Sequence, residues 1–171
     1  MKWILVVLAA LAALALLILI AGLFVPKSHE ASVTVRLGKP PADVWAVITD
    51  FPKQPEWNSE ITAVTALPDR DSKAVWQETF GGQFQATVVN AVVEPPARLV
   101  REILPGGPFH GSWTWDLAPD AQGTRLTITE RGTVENPFFR GMMVFQDNTR
   151  TVREYAASLA KRLETELQTV P

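Results

Sequence analysis

The sequence predicts an α+β fold: a curved antiparallel sheet of about six or seven strands wrapped around a long C-terminal helix, preceded by a transmembrane helix. Three observations predict it. Trp3 to Val25 is apolar without interruption. The middle of the chain is a run of short alternating segments cut by Gly and Pro. The tail from Asn136 to Leu167 carries a helical stripe of Phe138, Met142, Phe145, Thr149, Val152, Ala156, Leu159, Leu163 and Leu167, spaced alternately by fours and threes.

The tail opens on Asn136-Pro137, an N-cap type followed by the proline that the first helical position tolerates. A helix of about 30 residues is roughly 45 Å long, too long for one partner helix to cover in a chain of this size. It needs a curved sheet. Its first half, with Phe138, Phe139, Met142, Met143, Val144 and Phe145 around Gly141, has a broad apolar face expected to form the wall or gate of any ligand site. From Val152 onward the stripe narrows to one suited to plain packing.

The N-terminal run is bracketed by Lys2 and Lys27 and is long enough, at about 34 Å, to cross a bilayer core. A cleaved signal peptide would have a shorter apolar stretch and a small-x-small site after it, and none stands out around Phe24 to Glu30. Residues 1–25 are therefore expected to be a single-pass membrane anchor, residues 26–29 a short tether and residues 30–171 the soluble domain. Charged flanks do not orient the anchor; so short an N-terminus favours the domain outside the cytoplasm.

Glu30 to Leu37 alternates apolar and polar residues, as a half-buried strand does. Ala42 to Asp50 switches to helical spacing, and Pro52 and Pro55 confine Lys53 to Asn58 to a turn or single helical turn. Strands follow at 61–67, 73–80, 83–94, 98–104, 111–117 and 124–135, with Gly81-Gly82 as a tight hairpin. Strands in a run, with helices segregated from them, argue α+β rather than α/β.

Composition excludes several functions. Among 171 residues there is no cysteine, so disulfides, thiolate metal sites and Cys nucleophiles are absent. A net charge of −2 without a basic run predicts no nucleic-acid partner. Two histidines, His29 and His110, have no metal-ligand spacing, and no cofactor motif surrounds the glycines. His29 falls in the tether with no role assigned; His110 reads as a loop histidine, with contact to a ligand at a cavity mouth as its functional alternative.

Several local patterns, in this order, make the chain resemble the SRPBCC superfamily, also called START-like, helix-grip or Bet v 1-like, and within it the polyketide cyclase/dehydrase-type domains. They are Pro41 to Asp50 with Glu56-Trp57-Asn58 after it, Glu94 to Leu99, Trp113 to Pro119, Gly123 to Thr127, and the final helix. The resemblance covers about Glu30 to Leu167. It implies a cavity between the concave sheet and the long helix, and a hydrophobic small molecule or lipid as ligand.

The candidate ligand-binding residues are Trp57, Trp76, Phe80, Phe84, Trp113, Trp115, Phe138, Met142 and Met143. Trp76, Phe80, Phe84, Trp113 and Trp115 alternate on their strands, and methionine suits an adaptable apolar site. Glu78 shares a strand face with Trp76 and Phe80, and Glu130 shares one with Leu126 and Ile128. If those faces point inward, either acid would suit general acid/base work or would anchor the polar end of a ligand. The competing expectation is structural: Glu78 paired with Arg101 or Arg131, and Glu130 near water at a strand end.

Three functions follow. The first is membrane-anchored binding of a hydrophobic small molecule or lipid. The second is a cyclase or dehydratase using Glu78 or Glu130. The third is an interaction module with a filled core. The segment 138–143 carries a further alternative to core packing, contact with the bilayer, which its apolar character and proximity to the anchor permit.

Overall fold

The structure, a computed structural model, describes residues 2–144 and 147–170. Helix α1 (Lys2–Phe24) leads into strand β1 (Ser28–Leu37). Helix α2 (Pro41–Thr49) and a 3-10 helix (Phe51–Glu56) follow. Six further strands run in succession: β2 (Ile61–Arg70), β3 (Lys73–Phe80), β4 (Phe84–Glu94), β5 (Arg98–Ile103), β6 (His110–Asp120) and β7 (Gly123–Thr133). Helix α3 (Pro137–Met143), helix α4 (Arg150–Arg162) and strand β8 (Leu167–Thr169) complete the chain.

All eight strands form one antiparallel sheet, ordered β2-β3-β4-β5-β6-β7-β1-β8. Alternation along the strands sends Val33, Val35 and Leu37 of β1, Leu99 of β5, Trp115 and Leu117 of β6, and Leu126 and Ile128 of β7 into one core. There they meet Val44 and Ile48 of α2 and Val152, Tyr155, Ala156, Leu159 and Leu163 of α4. The antiparallel sheet thus has one face on the core and one toward solvent. The core sits toward the Leu37 end of β1, where Leu37, Val44, Ile48, Leu99, Leu126 and Leu159 are fully buried.

The tail departs from the single long helix that its stripe predicts. Helix α3 ends at Met143 and helix α4 begins at Arg150. Asp147 turns the chain into α4 by accepting hydrogen bonds from both the amide and the hydroxyl of Thr149. Phe145 of the stripe lies outside the described residues. The stripe also overshoots at its end. Glu164 adopts a left-handed conformation (φ 51°), and the amides of Glu164 and Thr165 close on the carbonyls of Lys161 and Ala160. That Schellman geometry stops α4 and frees Leu167 to enter β8 beside β1.

Helix α3 does not lie in the sheet's grip; it packs on α1. A Cβ on Gly22 of α1 would collide with the carbonyl oxygen of Pro137, and one on Gly141 would collide with that of Ile18. Only glycine permits so close an approach of two helical backbones. Arg140, 6% exposed, donates from Nε to the carbonyl of Gly22 and from Nη1 to the carbonyls of Val134 and Glu135. It therefore caps the C-terminal end of α1, where helical carbonyls lack partners. Lys27 adds an ion pair to Glu135 at 2.8 Å.

His29 is the other departure. Rather than lying in a tether, it belongs to β1, paired in register with Gly132. The β ladder starts at Ser28, so the chain between α1 and the sheet is shorter than expected.

Candidate functional site

Between the sheet and the start of α4 lies a cavity of about 450 Å³. Its walls come from β1 to β7, the 3-10 segment and the chain after it, Met143 of α3, and Thr151 and Tyr155 of α4. Of the residues predicted from sequence, Phe80, Phe84, Trp113, Trp115, Met143, Glu78 and Glu130 line it. Alternation puts the strand members there, since Phe80 opposes Phe84 across the β3–β4 hairpin and Trp113 and Trp115 are inward positions of β6.

Four of the candidate ligand-binding residues, and His110, lie elsewhere. Trp57 stands edge-on to Tyr155 (5.3 Å between centroids) on the core side. Trp76 packs on Phe51 at 5.1 Å. Phe138 sits beside Phe139 on α3, and Met142 is half exposed there, because α3 turns toward α1. His110 begins β6 and stands 4.0 Å from Glu135, outside the lining of this cavity.

The two carboxylates have different surroundings. Glu78 Oε1 lies 2.6 Å from Arg101 Nη1, and both side chains are almost wholly buried. The register places them: Glu78 opposes Ala86 on β4, and Arg101 opposes Asn90 on the same strand. Arg101 also donates from Nε to Asn90 Oδ1 (3.0 Å) and stacks its guanidinium 4.0 Å from the Phe51 ring centroid. Burial of this kind is tolerated only because the charges are paired.

Glu130 faces His29 at 3.8 Å, with both side chains about one-fifth exposed. Gly132 makes room for the histidine: a Cβ there would run into the imidazole of His29. The hydrogen-bonding pull of Glu130 raises the imidazole pKa above its ordinary 6.5, against a smaller opposing effect of burial.

Sequence reasoning missed Tyr155, the chain's one tyrosine. Its ring is clustered with Trp57, Trp113 and Trp115, with centroids 5.3–5.7 Å away. Burial above all pushes its hydroxyl pKa up; the Arg101 charge pulls the other way and the Glu78 charge adds to the rise. The phenol therefore stays protonated and can donate. Its position three residues after Val152 was the available signal. Gln54, also missed, is buried and donates to the carbonyl of Ile48.

The cavity's polar edge is under-satisfied. Among the described residues, Arg101 Nη2 and Gln54 Oε1 are buried without a hydrogen-bond partner, and Tyr155 Oη and Trp115 Nε1 have none beyond each other. Native proteins leave few such groups, and those on a cavity wall are groups a ligand can satisfy. Also among the described residues, no cluster of His, Asp or Glu could hold a metal ion.

The fold has many solved counterparts. Over 80% of this chain and 93% of the other, it is similar to the Zhui aromatase/cyclase from Streptomyces sp. R1128 (TM-score 0.62, 18% identity). It is similar to a Thermus thermophilus protein over 80% and 97% of the two chains (TM-score 0.63, 19% identity). A START superfamily protein from Mycobacterium smegmatis matches over the same shares, with a TM-score of 0.55 and 17% identity. At such identities these matches establish the fold alone. No curated protein sequence matches the chain. The model of the family described as polyketide cyclase / dehydrase and lipid transport matches residues 28–164, from the first residue of β1 to just past the end of α4. With this match over most of its length and the helix-grip architecture beneath it, the chain belongs to the polyketide cyclase / dehydrase and lipid transport family.

Proposed function

We propose that this protein is a membrane-anchored binder of a hydrophobic small molecule or lipid, held non-covalently in the cavity between the sheet and α4. The cavity itself carries the reading. Its volume of about 450 Å³ lies in the range of small-ligand sites, and Phe80, Phe84, Phe109, Trp113 and Trp115 give it an apolar wall. The free donor of Arg101, with the Tyr155 hydroxyl that has no partner beyond the Trp115 indole, defines the ligand further: an apolar body ending in an oxygen that accepts hydrogen bonds, such as a carbonyl, hydroxyl or carboxylate.

The anchor belongs to the same proposal. Helix α1 is 23 residues long and apolar after Lys2, and its side chains point outward over most of its length. Its contact with α3 favours an α1 that is kept, because removing a leader would take from Arg140 the Gly22 carbonyl it binds.

Native mass spectrometry of the full chain in detergent tests this function. The expected result is a co-purifying apolar adduct that solvent extraction removes, followed by uptake of a fluorescent fatty acid. A chain that is empty and refuses the fatty acid overturns it.

One observation favours a second reading, a cyclase or dehydratase. The His29–Glu130 pair borders the cavity, and a carboxylate beside a titrating imidazole can accept and return protons. This reading requires Glu130→Gln to abolish conversion of a polyketide-type substrate while leaving uptake of the fatty acid intact.

A further inference from the structure

Helix α3 is short and apolar, with the sequence PFFRGMM, and it carries one charge. That charge, on Arg140, is turned inward onto three backbone carbonyls. What α3 shows to its surroundings is apolar: Phe139 is 39% exposed and Met142 51%, with Val144 just beyond at 45%. Such a patch in water is unfavourable, and it needs an occupant.

The geometry of the α1–α3 contact names the occupant. Pro137 meets Gly22 and Gly141 meets Ile18, so four residues forward along α3 correspond to four residues backward along α1. The two helices run antiparallel, and α3 points back down α1 from its C-terminal end. Ile18 lies six residues before Phe24, about 9 Å inside the end of the apolar helix. The exposed apolar face of α3 is therefore continuous with the outward face of α1, where Leu17, Ile20, Leu23 and Phe24 are exposed.

We propose that α3 is seated in the lipid bilayer beside the last turns of α1, with Phe139, Met142 and Val144 among the acyl chains; this rests on α1 being a membrane span. Arg140 is withdrawn onto carbonyls because a charge at that depth must be paired. Met143, the next residue on α3, lines the cavity, as do His29 and Val134 near the end of α1. The cavity's α3 corner thus opens at the bilayer surface. An apolar ligand enters from the lipid phase and does not have to cross water. The β6–β7 turn at Ala121-Gln122 lies at the far end of the sheet and stays in solvent.

The chain has no cysteine, so single-cysteine labelling tests the seating directly. A fluorophore is attached to Phe139→Cys or Met142→Cys of the full chain, with Leu14→Cys within α1 and Gln122→Cys in solvent for comparison. Each protein is reconstituted into phosphatidylcholine/phosphatidylglycerol vesicles carrying doxyl-labelled phosphatidylcholine. Labels at 139 and 142 should be quenched about threefold or more above the label at 122, most by doxyl near the headgroup, as expected for insertion of about 5–10 Å. The label at 14 should be quenched most by deep doxyl. If 14 is quenched and neither 139 nor 142 exceeds 122, α3 sits in water and the proposal is overturned while the anchor stands. If 14 is not quenched, the anchor and the seating both fail. Either label position alone suffices if the other variant fails to fold, since both replace exposed side chains.

Discussion

Glu78 and Glu130 look alike in sequence, each an acid on the inward face of a strand flanked by apolar residues, yet they end in opposite conditions. Glu78 is closed in. Arg101 holds it at 2.6 Å, Phe51 stacks on the guanidinium, and Asn90 fixes the arginine from the other side. Glu130 is open. It sits toward the end of β7 nearest α1, with an imidazole for company and room supplied by Gly132. A proton acceptor or ligand anchor needs a lone pair that a ligand can reach. Strand alternation decides which way an acid points, while the neighbours brought by register decide whether its oxygens are already held or can be reached from the cavity.

The largest effect expected is at the closed pair. Arg101→Met leaves the Glu78 charge buried and unpaired, which should cost about 3–5 kcal/mol in urea unfolding. The double variant Glu78→Leu/Arg101→Met should recover most of that loss. If the single variant is as stable as the wild type, the pair is not structural and the contrast with Glu130 breaks.

Tyr155→Phe probes the edge between the two sites. Its hydroxyl has no partner among the described residues beyond the Trp115 indole, so its removal should change the stability of the unliganded protein by less than about 1 kcal/mol. A ligand that accepts its hydrogen bond should bind roughly three- to tenfold more weakly. A variant that binds a fluorescent fatty acid as tightly as the wild type would remove Tyr155 from the polar anchor.

The smallest effect belongs to the open pair. With the His29 pKa raised by Glu130, the stabilisation from their contact is fully present below the ordinary value of 6.5 and is lost as pH rises through the raised value. An NMR titration of the His29 ring should give a midpoint above 6.5, falling back toward it in Glu130→Gln. An unmoved midpoint in that variant would show that the two groups do not interact.

Much of the fold was legible because it is written locally. Val152, Ala156, Leu159 and Leu163 are buried in α4 or at its cap as their spacing predicts, and Phe80, Phe84, Trp113 and Trp115 face the cavity as alternation predicts. What was not legible depends on distant partners. The stripe keeps its spacing from Met142 through Thr149 to Val152, so nothing periodic marks the break between α3 and α4. Its cause is that α3 belongs to α1: Arg140 and the Gly22 carbonyl it binds are 118 residues apart. The choice of Arg101 over Arg131 as the partner of Glu78 likewise required the β3–β4–β5 register. Arg131 pairs instead with Glu30 on the solvent side at 2.9 Å. His29 passed for tether because pairing with β7, rather than its own neighbours, makes it a strand residue.

If the cavity holds the ligand, filling it with a side chain should abolish uptake. Thr151 lines it from the first turn of α4, so Thr151→Trp places an indole in the space a ligand would take. The measurement is energy transfer from tryptophan to a dansyl fatty acid titrated into the full chain in detergent, compared between wild type and variant. The expected result is saturable uptake by the wild type and its loss in Thr151→Trp, with the melting temperature unchanged or higher. Equal uptake by a folded Thr151→Trp chain would place the probe outside the cavity and contradict it.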